Sequence, residues 1–276
     1  MRTTSDRSPL ADLNIQWVAG ALEDADSLQR LVHGVEAVVH CAGAVRGATQ
    51  AQFNQINVDG VERLVHAANE QHPLPRFLLV SSLAAREPEL SFYASSKRQG
   101  EVVLEIRAGQ MQWAAFRPAA VYGPGDKEML PLLRWMARGF AFVLGSGNNR
   151  VSMLYVDDLA EAVEKWLHAA NFPKAVFELH DGRPDGYSWQ DVTDTVGHLM
   201  GKRIRRVPVP LIFLKALAGI NLKLARILGY APMLTPGKLR ELRHPDWVCD
   251  NAAITRETGW TPRVSLEEGL RCTLKL

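Results

Sequence analysis

Phe77-Leu78-Leu79-Val80-Ser81-Ser82-Leu83, followed ten residues later by Tyr93-Ala94-Ser95-Ser96-Lys97, decides the reading of this 276-residue chain. The apolar run has the length of a buried strand and ends in two serines; the second segment opens a helix. A spacing of four residues puts Tyr93 and Lys97 on one helical face, where an ammonium can hold down the pKa of a phenol and suit it to acid or base work. Ser82, at the carboxyl end of the strand, can donate a hydrogen bond to a substrate carbonyl or alkoxide. The pair alone also fits a half-buried tyrosine beside a solvated lysine, so the surrounding pattern has to decide.

Working outward, Ala37 to Ala42 is a second strand-length apolar run, and Trp113 to Phe116, closed by Arg117-Pro118, is a third. Ile15 to Val18 reads as a further strand ahead of them. Helical periodicity fills the gaps at Ser27–His33, Gln50–Gln71 and Tyr93–Ala108, with Asp24 or Asp26 as a cap for the first. Strands alternating with helices of this length imply an α/β fold, a Rossmann-like doubly wound parallel sheet, with functional residues at the carboxyl ends of its strands. Later elements are predicted as a helix over Lys127–Arg138, strands over Phe140–Leu144 and Val151–Val156, and a helix over Asp157–Ala169 capped by Asp157 or Asp158. Gly145-Ser146-Gly147-Asn148-Asn149 reads as a tight loop. Beyond Asn171 the elements are short and broken by Pro208, Pro210, Pro232 and Pro236. The expected division is a dinucleotide-binding domain over residues 1–170, with 123–150 contributing to the substrate cleft, and a smaller C-terminal substrate lobe over 171–276.

Bulk composition narrows the classes. A hydrophobic share of 47% allows one large core with a smaller lobe, and a net charge of +2 gives no electrostatic case for nucleic acid. Cys41, Cys249 and Cys272 make neither a disulfide framework nor a metal-ligand spacing, so no metal is expected and a reducing, cytoplasmic setting fits. The first twenty residues contain no apolar signal region. Leu211 to Leu228 is strongly apolar but interrupted by Lys215, Asn221, Lys223 and Arg226, which disfavours a membrane span. It reads either as a lobe helix covering the cleft or as a surface resting on a bilayer.

Several motifs in order resemble the extended short-chain dehydrogenases/reductases of the NAD-dependent epimerase/dehydratase type. They are Val38-Val39-His40-Cys41-Ala42 with Gly43, Asn57-Val58-Asp59-Gly60, Val80-Ser81-Ser82, Tyr93 to Lys97, Arg117-Pro118 with Val121-Tyr122-Gly123-Pro124, Tyr155-Val156-Asp157-Asp158-Leu159, and Gly259-Trp260-Thr261-Pro262. The resemblance implies an NAD- or NADP-dependent oxidoreductase that moves a hydride between nicotinamide and a carbinol or carbonyl carbon. Tyr93 would be the acid or base, Lys97 would lower its pKa and hold the nicotinamide ribose, and Ser82 would polarise the substrate oxygen. Cys41, Ala42, Gly43, Pro118 and Val121 would line the cofactor, Leu22 would lie near adenine, and Arg2 would meet the 2′-phosphate of NADP. Asn57 holds a position where the family often has a helix asparagine, and a plain helix-bending asparagine fits equally. Arg46 and Arg150 are candidate substrate contacts, each also readable as a surface arginine.

Arg117-Pro118-Ala119-Ala120-Val121 lacks the asparagine of many nucleotide-sugar members, which favours a small, less polar substrate. The alternatives kept open are a nucleotide-sugar epimerase or dehydratase, and a non-catalytic relative that senses dinucleotide or serves as an interaction subunit. The family's pairing through the Tyr93 helix and the Gln50–Gln71 helix implies a homodimer. One departure stands out. The sequence contains no G-x-G-x-x-G turn to bring backbone amides to a pyrophosphate, and the first strand-helix-strand of the pattern is missing, about 30 residues. The expectation is a shortened form of an ordinary enzyme, with an exposed sheet edge and poor dinucleotide binding for a chain starting at Met1.

Overall fold

The computed structural model describes residues 8–143 and 149–276. In chain order its elements are α1 (Ala25–Val32), β1 (Ala37–His40), α2 (Gln50–Asn57), α3 (Asp59–Asn69), β2 (Arg76–Val80), α4 (Phe92–Arg107), β3 (Trp113–Pro118), β4 (Ala120–Tyr122), α5 (Leu130–Ala137) and β5 (Phe140–Val143). There follow β6 (Arg150–Val151), β7 (Met153–Tyr155), α6 (Val156–His168), β8 (Ala175–Leu179), β9 (Tyr187–Ser188), α7 (Trp189–Leu199) and β10 (Arg205–Pro208). The chain closes with α8 (Leu211–Leu228), α9 (Pro236–Arg243), β11 (Asp246–Trp247), α10 (Ala252–Thr258) and α11 (Leu266–Leu274).

Four parallel strands in the order β1-β2-β3-β8 form the main sheet. Alternation along β2 sorts its side chains: Phe77 and Leu79 enter one core with α1, α3 and α4, while Leu78 enters the other with α6 and α10. Helices on both faces make this a Rossmann-like α/β sheet. Fully buried Phe77, Leu78, Phe116, Trp166 and Trp260 supply much of its cohesion, at roughly 1.5–3 kcal/mol for each large apolar side chain removed from water. A third core, built around Tyr122, Leu133, Met136, Val192, Val196 and Leu270, packs α5, α7 and α11 together.

Ile15 to Val18 forms no strand. A strand exists only as part of a ladder, and the described residues place no partner on the side of β1 away from β2. The stretch read as one helix over Gln50–Gln71 divides at Val58, whose φ of −117° and ψ of −66° end α2 and begin α3. Val151 to Val156 likewise splits: Ser152 donates to the Trp247 carbonyl and its own carbonyl accepts from Ala120, so the chain passes from one small sheet to another. Of the loop read at 145–149, residues 145–148 lie outside the described residues, as does Arg2. The fourth sheet strand, β8, comes from within the segment expected to be the smaller lobe.

Asp158 is not a helix cap. The residue before α6 is Tyr155, with no side-chain cap bond, and the buried Asp158 carboxylate accepts from the Arg263 and Val264 amides at 3.0 and 3.1 Å. Trp260 Nε1 donates to the Asp158 carbonyl at 3.1 Å, so this acidic motif anchors the C-terminal loop.

One buried carboxylate ties the centre together. Glu101 of α4 accepts from Ser81 Oγ at 2.5 Å and takes the Arg117 guanidinium in a fork, Nε to Oε1 at 2.9 Å and Nη2 to Oε2 at 2.6 Å. Glu101 is 2% exposed. Pairing with this carboxylate raises the Arg117 pKa despite burial. Removing one member of such a pair leaves the other charged and buried, at a cost of about 3–5 kcal/mol. Glu101→Ala is therefore expected to lower unfolding free energy by about 3–5 kcal/mol in urea titration, and a loss under about 1 kcal/mol would show that the pair does not hold α4 to the sheet.

Candidate active site

The site is assembled where β2 ends and α4 begins. Ser91 caps α4, its Oγ accepting from the Ala94 amide at 2.9 Å. This sets Tyr93 in the first turn, half-buried, with its ring edge-on to Phe53 of α2 at 6.2 Å. Ser82 follows β2, and its Oγ accepts from the Ala84 amide at 3.2 Å. The same hydroxyl acts on Tyr93 in the direction that favours the phenolate.

Burial is the largest influence on Tyr93 and pushes the phenol pKa up; the Ser82 hydrogen bond and then the Lys238 ammonium pull it down, while Glu241 and Glu128 add to the rise. The sequence pattern assigns the helpful cation to Lys97. In the structure the ammonium 5.9 Å from the Tyr93 ring centroid is that of Lys238, and Lys97 Nζ donates to the Val80 carbonyl at 2.8 Å. The reason is local: Lys97 is 7% exposed and drawn to the acceptor at the strand end. Burial lowers its pKa to about 8, against the opposing pull of Glu101.

Lys238 belongs to α9, which starts at Pro236 under a Thr235 cap. The helix is docked onto the start of α4: Ser91 Oγ donates to Glu241, and a Cβ at Gly237 would meet Ser91 Cβ at 2.9 Å, so only glycine permits this approach. Lys238 Nζ pairs with Glu241 at 3.0 Å. Between the two helices lies a cleft of about 180 Å³ bounded by Tyr93 and Lys238, with Val45, Phe53, Phe92, Leu222, Pro232 and Met233 as apolar wall. Lys238 and Glu241 escape a reading of the sequence, because no local pattern tells which remote helix will lie over Tyr93.

The other expected residues fall in several places. Cys41, Ala42 and Gly43 are exposed at the carboxyl end of β1, and the space a Cβ at Gly43 would take lies 3.3 Å from Asn57 Oδ1 and 3.7 Å from Lys97 Nζ. Asn57, 3% exposed, accepts from the Ala44 amide at 2.7 Å and donates to the Ala44 carbonyl and Ser96 Oγ, so it braces the loop after β1 against α4. Pro118 is buried at the end of β3, and Val121 sits partly buried in β4. Leu22, expected near adenine, packs partly buried against the first core at Gly60 of α3. Arg46 pairs with Glu128 at 2.8 Å and approaches Met233 of the cleft wall. Arg150 pairs with Asp191 at 3.3 Å and is not among the residues lining that cleft.

A strand end with a side-chain-free Gly43, an ammonium with only one of its three N–H groups spent on Val80 among the described residues, and a tyrosine in the first turn of the same helix fit the nicotinamide-ribose half of a dinucleotide. The sequence has no G-x-G-x-x-G for the pyrophosphate half.

The depressed Lys97 pKa has a signed consequence. Below about pH 8 the amine is protonated in both folded and unfolded chains, and its buried charge costs stability. Between about 8 and the ordinary 10.5 the folded chain has lost a proton that the unfolded chain keeps, so stability rises with pH. Unfolding free energy of the wild type relative to Lys97→Met is expected to increase across that window; a flat difference would mean the amine titrates normally.

Similarity to known proteins agrees with this geometry. The model of the NAD dependent epimerase/dehydratase family matches residues 1–178. The chain is 36% identical to the ceramide reductase of Caulobacter vibrioides over 88% of its own length and 75% of the relative's. It is 28% identical to the 2-alkyl-3-oxoalkanoate reductase of Stenotrophomonas maltophilia, over 96% and 88%. Its fold matches the UDP-glucuronic acid 4-epimerase of Bacillus cereus, solved with UDP-glucuronic acid and NAD, with a TM-score of 0.76 at 16% identity, over 98% and 83% of the two chains. With its Ser82, Tyr93 and Lys97 gathered at one strand end, the chain belongs to the NAD dependent epimerase/dehydratase family.

Proposed function

We propose that this protein is an NAD(P)-dependent oxidoreductase acting on a carbonyl or carbinol carbon of an apolar, lipid-like molecule, with Tyr93 as acid and base. The observation that carries this reading is the Tyr93 phenol under the influence of the Ser82 hydroxyl and the Lys238 ammonium, on the wall of a largely apolar cleft. The two reductase relatives, one a ceramide reductase and the other a 2-alkyl-3-oxoalkanoate reductase, support it. A nucleotide sugar is less suited to those walls, and likeness to the epimerase structure extends to fold alone.

When bound, the nicotinamide supplies or accepts the hydride. In the reducing direction the Tyr93 O–H gives its proton to the substrate oxygen as that oxygen gains charge, and the Ser82 hydroxyl donates to the same oxygen. Lys97 holds the ribose with the N–H groups not given to Val80, and Lys238 stabilises the phenolate left on Tyr93. In the reverse direction the phenolate takes the proton back. The phenol's raised pKa keeps it protonated at neutral pH, which favours reduction.

The division into a dinucleotide-binding part over 1–170 and a substrate lobe over 171–276, with β8 returned to the sheet, belongs to this proposal, as do a homodimer pairing α4 with α2 and α3, and a cytoplasmic location supported by three unpaired cysteines. No described helix is long and apolar enough to cross a membrane.

Tyr93→Phe is expected to reduce kcat/KM for NADPH-dependent reduction of a long-chain 3-oxo substrate by about 10²–10⁴. Activity within twofold of wild type would defeat the assignment. Lys238→Met removes a charge that favours the phenolate, so the alkaline rise of the alcohol-oxidation rate should move to higher pH; an unmoved profile would remove Lys238 from the proton chemistry.

A further inference from the structure

Helix α8 buries little of what it carries. It meets the body of the protein through Leu214, Ala218 and Ala225, which lie within about 40° of arc at about 100° per residue. Phe213, Leu217, Ile220, Leu224, Ile227 and Leu228 project elsewhere, over about 100° of arc, with exposures from 45% at Leu224 to 78% at Ile227. Tyr230 and Met233, 39% and 41% exposed, follow beyond the helix. A soluble surface seldom presents so continuous an apolar stripe without a partner. Lys215, Lys223 and Arg226 stand in the arc between the buried side and this stripe, and all three are exposed.

Charge identifies the partner. From Thr195 to Arg240 the chain has nine lysines and arginines and no aspartate or glutamate; Arg206 and Lys238 are paired with Asp194 and Glu241 just outside that segment, which leaves seven. A second copy meeting the stripe head-on would bring two such basic segments together. A surface of anionic phospholipid offers the opposite charge beside an apolar layer.

We propose that α8 docks on the face of an anionic lipid bilayer, with its apolar stripe in the headgroup and acyl boundary and its basic residues on the lipid phosphates. The helix lies in the surface and does not cross it. Leu222 of the same helix and Pro232 and Met233 just after it form part of the cleft wall at Tyr93, so docking brings that wall beside the lipid. The docking does not depend on the chemistry proposed at Tyr93, and its test needs no turnover.

The test is co-sedimentation of the full chain with phosphatidylcholine vesicles, with and without phosphatidylglycerol. Binding to the anionic vesicles is expected to be about tenfold or more stronger than to neutral ones and to weaken with added salt. Ile220→Glu with Ile227→Glu, and separately Lys215→Glu with Lys223→Glu, should each reduce it about tenfold while circular dichroism and melting temperature stay at wild-type values. Both pairs lie on the exposed side, so neither should disturb folding. Sedimentation no greater than without vesicles would overturn the proposal. So would light scattering that shows a dimer dissociated by Ile220→Glu, which would give the stripe to a second copy.

Discussion

The buried Glu101 carboxylate is the constraint on which the rest depends. Two acceptor oxygens satisfy a serine at the end of β2 and an arginine at the end of β3, from a helix that also carries Tyr93 and Lys97. Because all three partners are short of water, none can shift without stranding a charge or a donor. The helix is thereby held in one position along the strands, and its first turn comes to rest beside Ser82. The phenol–hydroxyl contact at the site is a consequence of this charge pair two turns further along.

The site divides its positive charge between two lysines from distant parts of the chain. Lys97 lies under the strand end, with a pKa lowered to about 8 by burial. Lys238 approaches from α9, on the cleft side of the Tyr93 ring, and its charge is kept in place by Glu241. Glu241 also binds Ser91, the cap of the Tyr93 helix. One glutamate thus couples the orientation of the cation to the position of the phenol it acts on. A rearrangement of the lobe would alter the electrostatics at Tyr93 without touching the sheet.

Helix α8 follows a different logic from the sheet. The main sheet is cohesive because its strands are covered on both faces, whereas α8 is covered on one narrow side only. The asymmetry extends to charge, since the segment from 195 to 240 carries basic residues and no acidic ones.

Much of this was legible in the residues. Apolar runs at 37–42, 76–80 and 113–116, with helical periodicity between them, are sufficient for a parallel α/β sheet, because backbone hydrogen bonding and side-chain alternation act locally. The strand-end serine and the Tyr93–Lys97 spacing point to a candidate site for the same reason. Where the local pattern was followed too far it misled: Ile15 to Val18 has strand composition but joins no sheet among the described residues, and Asp158 looks like a helix cap yet serves the loop at Arg263 and Val264. Only the tertiary structure decided that Lys97 serves the Val80 carbonyl while Lys238 faces the phenol, that Leu22 packs in the core, and that Arg150 pairs with Asp191. Periodicity and spacing are properties of neighbouring residues, but which charge reaches a buried phenol depends on packing between helices more than a hundred residues apart.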